Sequence, residues 1–309
     1  MTTPRLTRTY LAVPAHRARL VQNAAASAAD AVFMDLEDAV PPAEKAGALE
    51  AAAIALTAHD WDRKTVAVRL NAIDSPSIQE EIRRLGGISR LDAFIIPKAE
   101  AVADVARIGR WIVEARATRD TPIAMELLIE TARGLVNIEA LAAADPLVTA
   151  LHLGVGDFAA SIGARSAEIG ASPSGYQHVG SAVDGHPTVP LDLFAYPMMR
   201  VLVAARAFGL RAIDGPCGAF RDPIATASTA AKAAAMGFDG KQVIHPSQIE
   251  PTRNAFIPSE EELAYAERAI AAMEEAERNG QGAVTVDGKM VDYANIRMIR
   301  RLMSFKGRD

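Results

Sequence analysis

Short apolar runs alternate along this chain with longer segments whose apolar residues recur at helical spacing. The short runs resemble buried parallel strands, and the longer, alanine-rich segments each predict an amphipathic helix. The predicted strands cover residues 9–15, 31–38, 65–72, 93–99, 122–131, 150–157, 211–217 and 242–246. The predicted helices between them include residues 17–29, 42–58, 101–117, 132–144, 194–208 and 223–236. This succession of eight strands with intervening helices predicts an α/β fold, a (β/α)₈ TIM barrel.

A doubly wound open sheet is the alternative, because it also alternates parallel strands with helices. That fold commonly carries a glycine-rich phosphate-binding turn after its first strand. No such turn follows residue 15 in this sequence. The barrel is therefore the preferred interpretation.

The pattern changes after the eighth predicted strand. Ser259 and Glu262 have the spacing of a capping box, which predicts a helix running to about Arg278. Asp287-Gly288 predicts a tight hairpin turn, and a last helix covers 293–303. The predicted organisation is a catalytic barrel, residues 1–256, followed by a C-terminal lid segment of helices and a hairpin, residues 257–309.

Composition narrows the classes of function. The chain has 309 residues, 50% hydrophobic content and a formal net charge of −5, so it can bury a large core and carries no basic stripe for nucleic acid. The N-terminus has no signal-peptide pattern, and no apolar stretch is long enough to span a membrane. The single cysteine, Cys217, is expected to be a small buried thiol. These features together predict a soluble, cytoplasmic protein.

Two consecutive predicted strands, 122–131 and 150–157, lead to carboxylates, Glu130 and Asp157. Active sites of barrels lie at the carboxyl ends of the strands. Oxygen ligands of this kind suit a hard divalent cation, above all Mg²⁺. Two alternatives stay open, namely that either acid caps the following helix and that Glu126, on the same strand face as Glu130, is a competing ligand.

Other polar residues lie at the ends of the remaining predicted strands. Arg69 is interpreted as an electrophile that stabilises an oxyanion, with a salt bridge to Glu37 or Asp35 as the alternative. Lys98 is expected to pair with an acid. The region 171–190, rich in Gly, Pro and Ser, is a candidate substrate loop. The full set of strand-end residues is His16, Arg17, Arg19, Asp35, Glu37, Asp38, Arg69, Asn71, Lys98, Glu130, Asp157, Asp214 and His245.

Several segments, taken in order, resemble the citrate lyase β-subunit and malyl-CoA lyase family of the HpcH/HpaI aldolase superfamily. The similarity runs from about residue 9 to residue 303. The stretches 151–161 and 213–216 are closer to the malyl-CoA lyase branch, whereas the loop 175–178 departs from it. The segments that carry the resemblance are 35–40, 68–71, 96–98, 128–135 and 240–248.

The resemblance implies a site for Mg²⁺ and a CoA thioester. Glu130 and Asp157 would hold the metal, and the residue matching Arg69 would bind the oxo acid. Glu37 would hold Arg69 or metal-bound water. Asp292, which the sequence alone would place at the N-cap of the last helix, matches the family's acid/base aspartate. In relatives this C-terminal segment lies over a neighbouring barrel, which implies a homotrimer or hexamer that shares Asp292.

The implied coenzyme A site lies between the loops after the first and last strands, with Arg17, Arg19, His245 and Pro246 beside the nucleotide. The implied activity is reversible cleavage of a malyl-CoA-type 3-hydroxyacyl-CoA (L-malyl-CoA, β-methylmalyl-CoA or citramalyl-CoA) into an acyl-CoA and a 2-oxo acid such as glyoxylate. A malyl-CoA thioesterase and a citrate lyase β-subunit that acts with an acyl-carrier partner are the alternatives.

Overall fold

Eight parallel strands close into a barrel in the first part of the chain. The computed structural model describes residues 6–303 apart from 117, 118, 120, 167, 182 and 184. The strands are β1 (Thr9–Pro14), β2 (Ala31–Asp35), β3 (Thr65–Arg69), β4 (Ala93–Ile96), β5 (Ala124–Ile129), β6 (Val148–Leu153), β7 (Gln177–His178), β8 (Val189–Pro190), β9 (Arg211–Asp214), β10 (Gly240–Val243), β11 (Ala283–Val286) and β12 (Lys289–Asp292). The α-helices are α1 (Ala18–Ala25), α2 (Lys45–Ala58), α3 (Ile78–Leu85), α4 (Val102–Ala115), α5 (Ala132–Val136), α6 (Ile138–Ala142), α7 (Val155–Ser161), α8 (Ala195–Ala207), α9 (Pro223–Met236), α10 (Ile249–Ala255), α11 (Glu260–Arg278) and α12 (Tyr293–Met303).

The strand order around the barrel is β1-β10-β9-β6-β5-β4-β3-β2, and every neighbouring pair is parallel. Parallel neighbours need crossover connections, which the intervening helices supply. The predicted (β/α)₈ barrel is confirmed. The chain divides into two compact units, one ending at Arg253 and the other starting at Asn254.

The barrel interior is mostly apolar and also holds a few buried polar side chains. Tyr10, Phe33, Ile95 and Ile213 belong to one buried cluster contributed by four strands. Side chains of a strand alternate between its two faces. Because helices cover the outer face and the core fills the inner one, both sets of side chains are buried, and each strand is a nearly continuous apolar run in the sequence. This continuity let the strands be located from the sequence.

Several predicted strand and helix boundaries differ from those in the structure. The strand predicted at 150–157 is wrong in its second half, because Gly154 caps α7 and Asp157 lies in the first turn of that helix. The helix predicted at 132–144 divides at Asn137, whose side chain donates to the Glu100 carbonyl. The strand predicted at 242–246 spans 240–243 instead, and Pro246 starts a 3₁₀ turn. Residue 117, the predicted end of the fourth-strand helix, lies outside the described residues.

The second unit consists of α11, the β11–β12 hairpin and α12. Ser259 and Glu262 form the predicted capping box, with both reciprocal hydrogen bonds present. Asp287 and Gly288 have φ of 49° and 75°, as the predicted Asp-Gly turn requires. Met273, Val291 and Ile296 belong to this unit's own core. Its action as a lid stays a prediction.

The described part of region 171–190, which excludes 182 and 184, carries the short antiparallel pair β7–β8. A role of this region in substrate binding stays a prediction. Cys217 is a buried free thiol, as expected. None of the helices in the described ranges is long and apolar enough to cross a membrane.

Candidate active site

Five neighbouring strands, β2 to β6, gather charged side chains at one end of the barrel. The strands are parallel, so the residues that end or follow them meet at the same rim. The residues at this rim are Asp35, Glu37 and Asp38 from β2, Arg69 from β3, Lys98 from β4, Glu130 from β5, and Asp157 in the helix after β6.

Arg69 is held by two acids that follow β2. Its Nε and Nη2 atoms donate to the two carboxylate oxygens of Asp35 at 2.7 and 2.6 Å, a bidentate pair. Its Nη1 atom lies 3.3 Å from Glu37 Oε2. Burial raises the pKa of Asp35, but the hydrogen bonds and charge of Arg69 outweigh burial and leave the pKa below its ordinary value. The salt bridges weighed as the alternative role of Arg69 are therefore present, and they fix the guanidinium at the rim.

Asp35 is also fixed by the chain around it. Its carboxylate accepts hydrogen bonds from the backbone N–H groups of Glu37 and Ala39 at 2.9 and 3.0 Å. These bonds bend the chain after β2 and bring Glu37 back to the rim. Asp35 therefore orients both Arg69 and Glu37.

Lys98 joins the remaining carboxylates. Its Nζ atom donates to Glu37 Oε1 at 2.6 Å and lies 3.4 Å from Asp157 Oδ2. Its backbone N–H donates to Glu130 Oε1 at 2.9 Å. Burial would lower the pKa of Lys98, but Glu37 holds it above its ordinary value, so the amine is a cation. This central position was not expected from the sequence. The available signal was a lysine two residues after the buried strand β4, whose neighbour β5 is followed by Glu130.

Glu130 is almost fully buried, with 3% of the residue exposed. Burial raises its pKa to about 8, and the negative charges of Glu37 and Asp157 act in the same direction. A Cβ atom at position 154 would lie 2.4 Å from Glu130 Cβ, so glycine is needed there for this side chain to fit. A carboxylate in this position is costly as an anion without a neighbouring cation.

Asp157 lies beside the cluster in the first turn of α7 rather than on a strand, and its side chain is 39% exposed. A carboxylate near a helix N-terminus is favoured by the helix dipole. The half-exposed acid and the buried Glu130 together offer oxygen ligands from two elements.

The donor set fits Mg²⁺. No group of three or more metal-ligating side chains occurs among the described residues. Mg²⁺ does not require one, because it is usually bound by one or two carboxylates and completes its shell with water and substrate oxygens. The raised pKa of Glu130 is a feature of this structure that a bound dication would reverse.

Glu126, the competing candidate ligand, is occupied elsewhere. It is fully buried inside the barrel, where it contacts His152 Nε2 at 2.9 Å and accepts from Arg211 Nη2 at 2.5 Å. Burial raises its pKa, but Arg211 and His152 outweigh burial and lower it to about 2. Arg211 begins β9, so this glutamate is bonded toward the opposite, N-terminal end of the strands.

The residues predicted to border coenzyme A lie on two neighbouring loops, since β1 pairs with β10. Arg17 and Arg19 are exposed where α1 begins. His245 is exposed after β10, with its ring tilted by 33° against that of Phe220 and the ring centroids 5.0 Å apart, and Pro246 follows it. The fold thus brings the two loops to the same rim, while the binding role stays a prediction.

Two strand-end residues of the predicted set are tied to structural partners. Asp214 accepts a hydrogen bond from the buried Lys241 Nζ at 2.5 Å. Asn71 donates from its side chain to Glu81 and accepts a hydrogen bond from Lys45. Neither contacts the rim carboxylates in these bonds.

Asp292 lies in the second unit, where β12 ends and α12 begins. Its Oδ1 atom accepts from the backbone N–H groups of Ala294 and Asn295 at 2.8 and 3.0 Å, as a helix-capping side chain does. The helix-cap alternative is therefore present. Its Oδ2 atom takes no part in these bonds.

The barrel and its rim of acids, arginine and lysine are those of a barrel enzyme with a cation site. The family described as HpcH/HpaI aldolase/citrate lyase matches residues 8–246 of the chain. The chain belongs to this family. The predicted family is confirmed.

Individual relatives are similar over nearly the whole chain. The L-malyl-CoA/beta-methylmalyl-CoA lyase of Cereibacter sphaeroides is 35% identical over 292 residues, which is 92% of this chain and 89% of the relative. The (3S)-malyl-CoA thioesterase of the same species is 32% identical, with 96% and 93% covered. The crystal structure of CitE from Mycobacterium tuberculosis, in complex with magnesium, acetoacetate and coenzyme A, is 31% identical with a TM-score of 0.75, covering 98% of each chain. The predicted class, an enzyme of the carbon–carbon lyase type, is confirmed.

Proposed function

We propose that the chain is a Mg²⁺-dependent lyase that reversibly cleaves a malyl-CoA-type 3-hydroxyacyl-CoA into an acyl-CoA and a 2-oxo acid such as glyoxylate. The observation that carries this proposal is the fixed Arg69 guanidinium, hydrogen-bonded to Asp35 and ion-paired with Glu37, on the same rim as Glu130 and Asp157. The lyase relatives support the choice of CoA thioester, and the M. tuberculosis complex supports the choice of metal.

Glu130 and Asp157 would hold the metal. When bound, Mg²⁺ would supply Lewis-acid polarisation and a template for the oxo acid. Arg69 provides a permanent positive charge that stabilises the oxygen of the former hydroxyl group as the carbon–carbon bond breaks or forms. Because Asp35 and Glu37 fix the guanidinium beforehand, it needs no reorganisation during the reaction.

Asp292 is proposed as the acid/base group. In condensation it takes a proton from the carbon next to the thioester, giving an enolate that attacks the aldehyde carbon of glyoxylate. The alkoxide formed at that carbon then takes a proton from solvent. In cleavage the substrate hydroxyl gives its proton to solvent as it becomes the carbonyl of the oxo acid, the electron pair of the broken bond enters the enolate, and Asp292 returns a proton to the enolate carbon. We propose that Asp292 serves a neighbouring subunit in a homotrimer or hexamer, as the resemblance implies.

The loops after β1 and β10 are proposed to border the nucleotide of coenzyme A. Arg17 and Arg19 offer exposed guanidinium groups for phosphate, a pairing favoured by their donor geometry. His245 and Pro246 form the facing loop. This arrangement leaves the thioester end of the substrate for the acid-lined rim.

Metal removal tests the function directly. The purified full chain is incubated with malyl-CoA and Mg²⁺, and in parallel with EDTA, and the products are resolved by mass. We expect acetyl-CoA and glyoxylate with Mg²⁺ and no turnover with EDTA. Equal turnover in both incubations would contradict the metal dependence.

The thioesterase is the second candidate, favoured by the 32% identical relative. Free CoA with malate in the same incubation would establish it in place of the lyase. Absence of any turnover would point to another acyl-CoA or to an acyl-carrier partner, and adding acyl-carrier protein esters separates these two cases.

Arg69→Lys tests the electrophile. Lysine keeps the charge but cannot make the bidentate bonds to Asp35. We expect kcat to fall by about 100-fold with a smaller change in KM, because the lost interaction belongs to the transition state. Steady-state kinetics with malyl-CoA measure both constants, and an unchanged kcat would remove Arg69 from the mechanism.

A further inference from the structure

Lys98 is held in an unusual backbone conformation at the centre of the rim. Its φ is 50°, in the left-handed region that side chains other than glycine rarely adopt. This conformation directs both its backbone N–H to Glu130 and its amine to Glu37. Strained residues of this kind persist where the surrounding structure fixes them, and they cluster at functional sites.

The amine contacts acids from two elements. Glu37 accepts its hydrogen bond at 2.6 Å, and carboxylate oxygens of Asp157 and Asp38 lie at 3.4 and 3.7 Å. The order of charges along the rim is therefore Asp157, Lys98, Glu37, Arg69 and Asp35, alternating negative and positive. One ammonium group links the candidate metal ligand Asp157 to the acids that hold Arg69.

Among these acids, Glu37 depends most on Lys98 for a hydrogen bond to its carboxylate. It is buried, and its Oε2 atom lies near Arg69 but outside hydrogen-bond geometry. Its one short hydrogen bond comes from Lys98. Without the ammonium group, Glu37 would be a buried carboxylate with neither oxygen atom hydrogen-bonded, beside a cation site.

We propose that Lys98 is a positioning residue that holds Glu37 against Arg69 and prevents Glu37 from becoming an additional ligand of the cation at Glu130 and Asp157. This inference rests on the proposed function. Lys98 thereby keeps the metal weakly enough bound for substrate oxygens to complete its shell, and it keeps Arg69 in place. The residue acts through Glu37 and Arg69 rather than on the substrate itself.

The test is cation affinity measured without turnover. Mn²⁺ is titrated into the EDTA-treated, dialysed full chain, free Mn²⁺ is followed by electron paramagnetic resonance, and Mg²⁺ is then used as competitor. Lys98→Met is expected to bind Mg²⁺ about tenfold more tightly, because a repelling unit charge is removed near a dication and Glu37 is released. Its kcat is expected to fall by about 10- to 100-fold, as for other residues that orient a metal site.

Three further variants complete the test. Lys98→Asn also removes the charge and tolerates the left-handed backbone, so it covers the case in which Lys98→Met fails to fold. Lys98→Arg keeps the charge and is expected to restore wild-type Mg²⁺ affinity. Lys232→Met is the matched control, since the Lys232 side chain is also 36% exposed and has an ion pair with Asp192. This control is expected to change neither the Mg²⁺ affinity nor kcat.

The outcomes distinguish failure of the inference about Lys98 from failure of the proposed function. Unchanged or weaker Mg²⁺ binding by the neutral variants would overturn the role of Lys98, as would tighter binding with an unchanged kcat. If the wild-type chain binds neither Mn²⁺ nor Mg²⁺, the proposed function fails first, and the inference fails with it.

Discussion

Glu130→Gln is expected to abolish Mg²⁺ binding and to lower kcat by about a thousandfold, since a Lewis acid supplies several kcal/mol of transition-state stabilisation. Glutamine has nearly the same shape as glutamate, so the substitution removes the charge without opening a cavity. Manganese titration and steady-state kinetics on malyl-CoA measure the two effects. A variant that retains both Mg²⁺ binding and turnover would move the cation site elsewhere.

The same substitution is expected to stabilise the cation-free protein. Burial and the charges of Glu37 and Asp157 raise the pKa of Glu130 from 4.5 to about 8. The folded state therefore holds its proton more strongly than the unfolded state. The resulting stability is fully present below pH 4.5 and is lost as pH rises through 8. Glutamine does not ionise, so the variant escapes this loss.

Thermal melting in EDTA at several pH values measures this effect. Between pH 5 and pH 8 the wild-type Tm is expected to fall relative to that of Glu130→Gln by roughly 5–10 °C. Added Mg²⁺ is expected to raise the wild-type Tm at pH 8 and to leave the variant unchanged. Parallel melting curves for the two proteins at every pH would contradict the electrostatic account of this glutamate.

Glu126→Gln is the matched control on the same strand, and its expected effects have the opposite pattern. Arg211 and His152 lower the pKa of Glu126 to about 2 despite burial, so its ionised form stabilises the fold above pH 4.5. The variant is expected to lose stability at neutral pH because Arg211 and His152 lose their charged partner. It is expected to keep Mg²⁺ binding, whereas loss of binding would restore Glu126 as a candidate ligand.

The barrel could be predicted because its strands are buried on both faces. Runs such as 93–99 are apolar almost throughout, which marks a strand covered by helices. The boundaries between strands and helices were harder to predict, because an apolar run does not show where a strand ends and a helix begins. At Gly154 the run continues through Val155, while the backbone changes from β6 to α7.

The sequence allowed the candidate site residues to be placed at one end of the barrel, but few of their contacts could be predicted. Glu130 and Asp157 were expected to lie close together because strand ends converge in a barrel. Glu130 does follow β5, whereas Asp157 lies in the first turn of α7. The pairing of Arg69 with Asp35 rather than with Glu37 alone depends on side-chain geometry across two strands. The central place of Lys98 depends on a left-handed backbone angle, which no residue pattern at that position predicts.

Asp292→Asn is expected to block proton transfer at carbon while leaving the second unit folded. Asparagine is as good an N-cap as aspartate, so the bonds to the Ala294 and Asn295 backbone can be kept. It cannot accept a proton as a base. We expect kcat to fall by about 10²–10⁴-fold, the usual contribution of a positioned acid/base group.

Hydrogen exchange isolates this step from the rest of the reaction. Acetyl-CoA is incubated in deuterium oxide with Mg²⁺ and protein, and loss of methyl protons is followed by NMR. We expect exchange with the wild type and none above background with Asp292→Asn. Asp287→Asn is the matched control, because Asp287 lies in the same unit, is bonded to Arg268 and occupies a turn position that asparagine accepts. Wild-type exchange by the Asp292 variant would exclude this residue as the base, and would leave it with the helix cap that the structure shows.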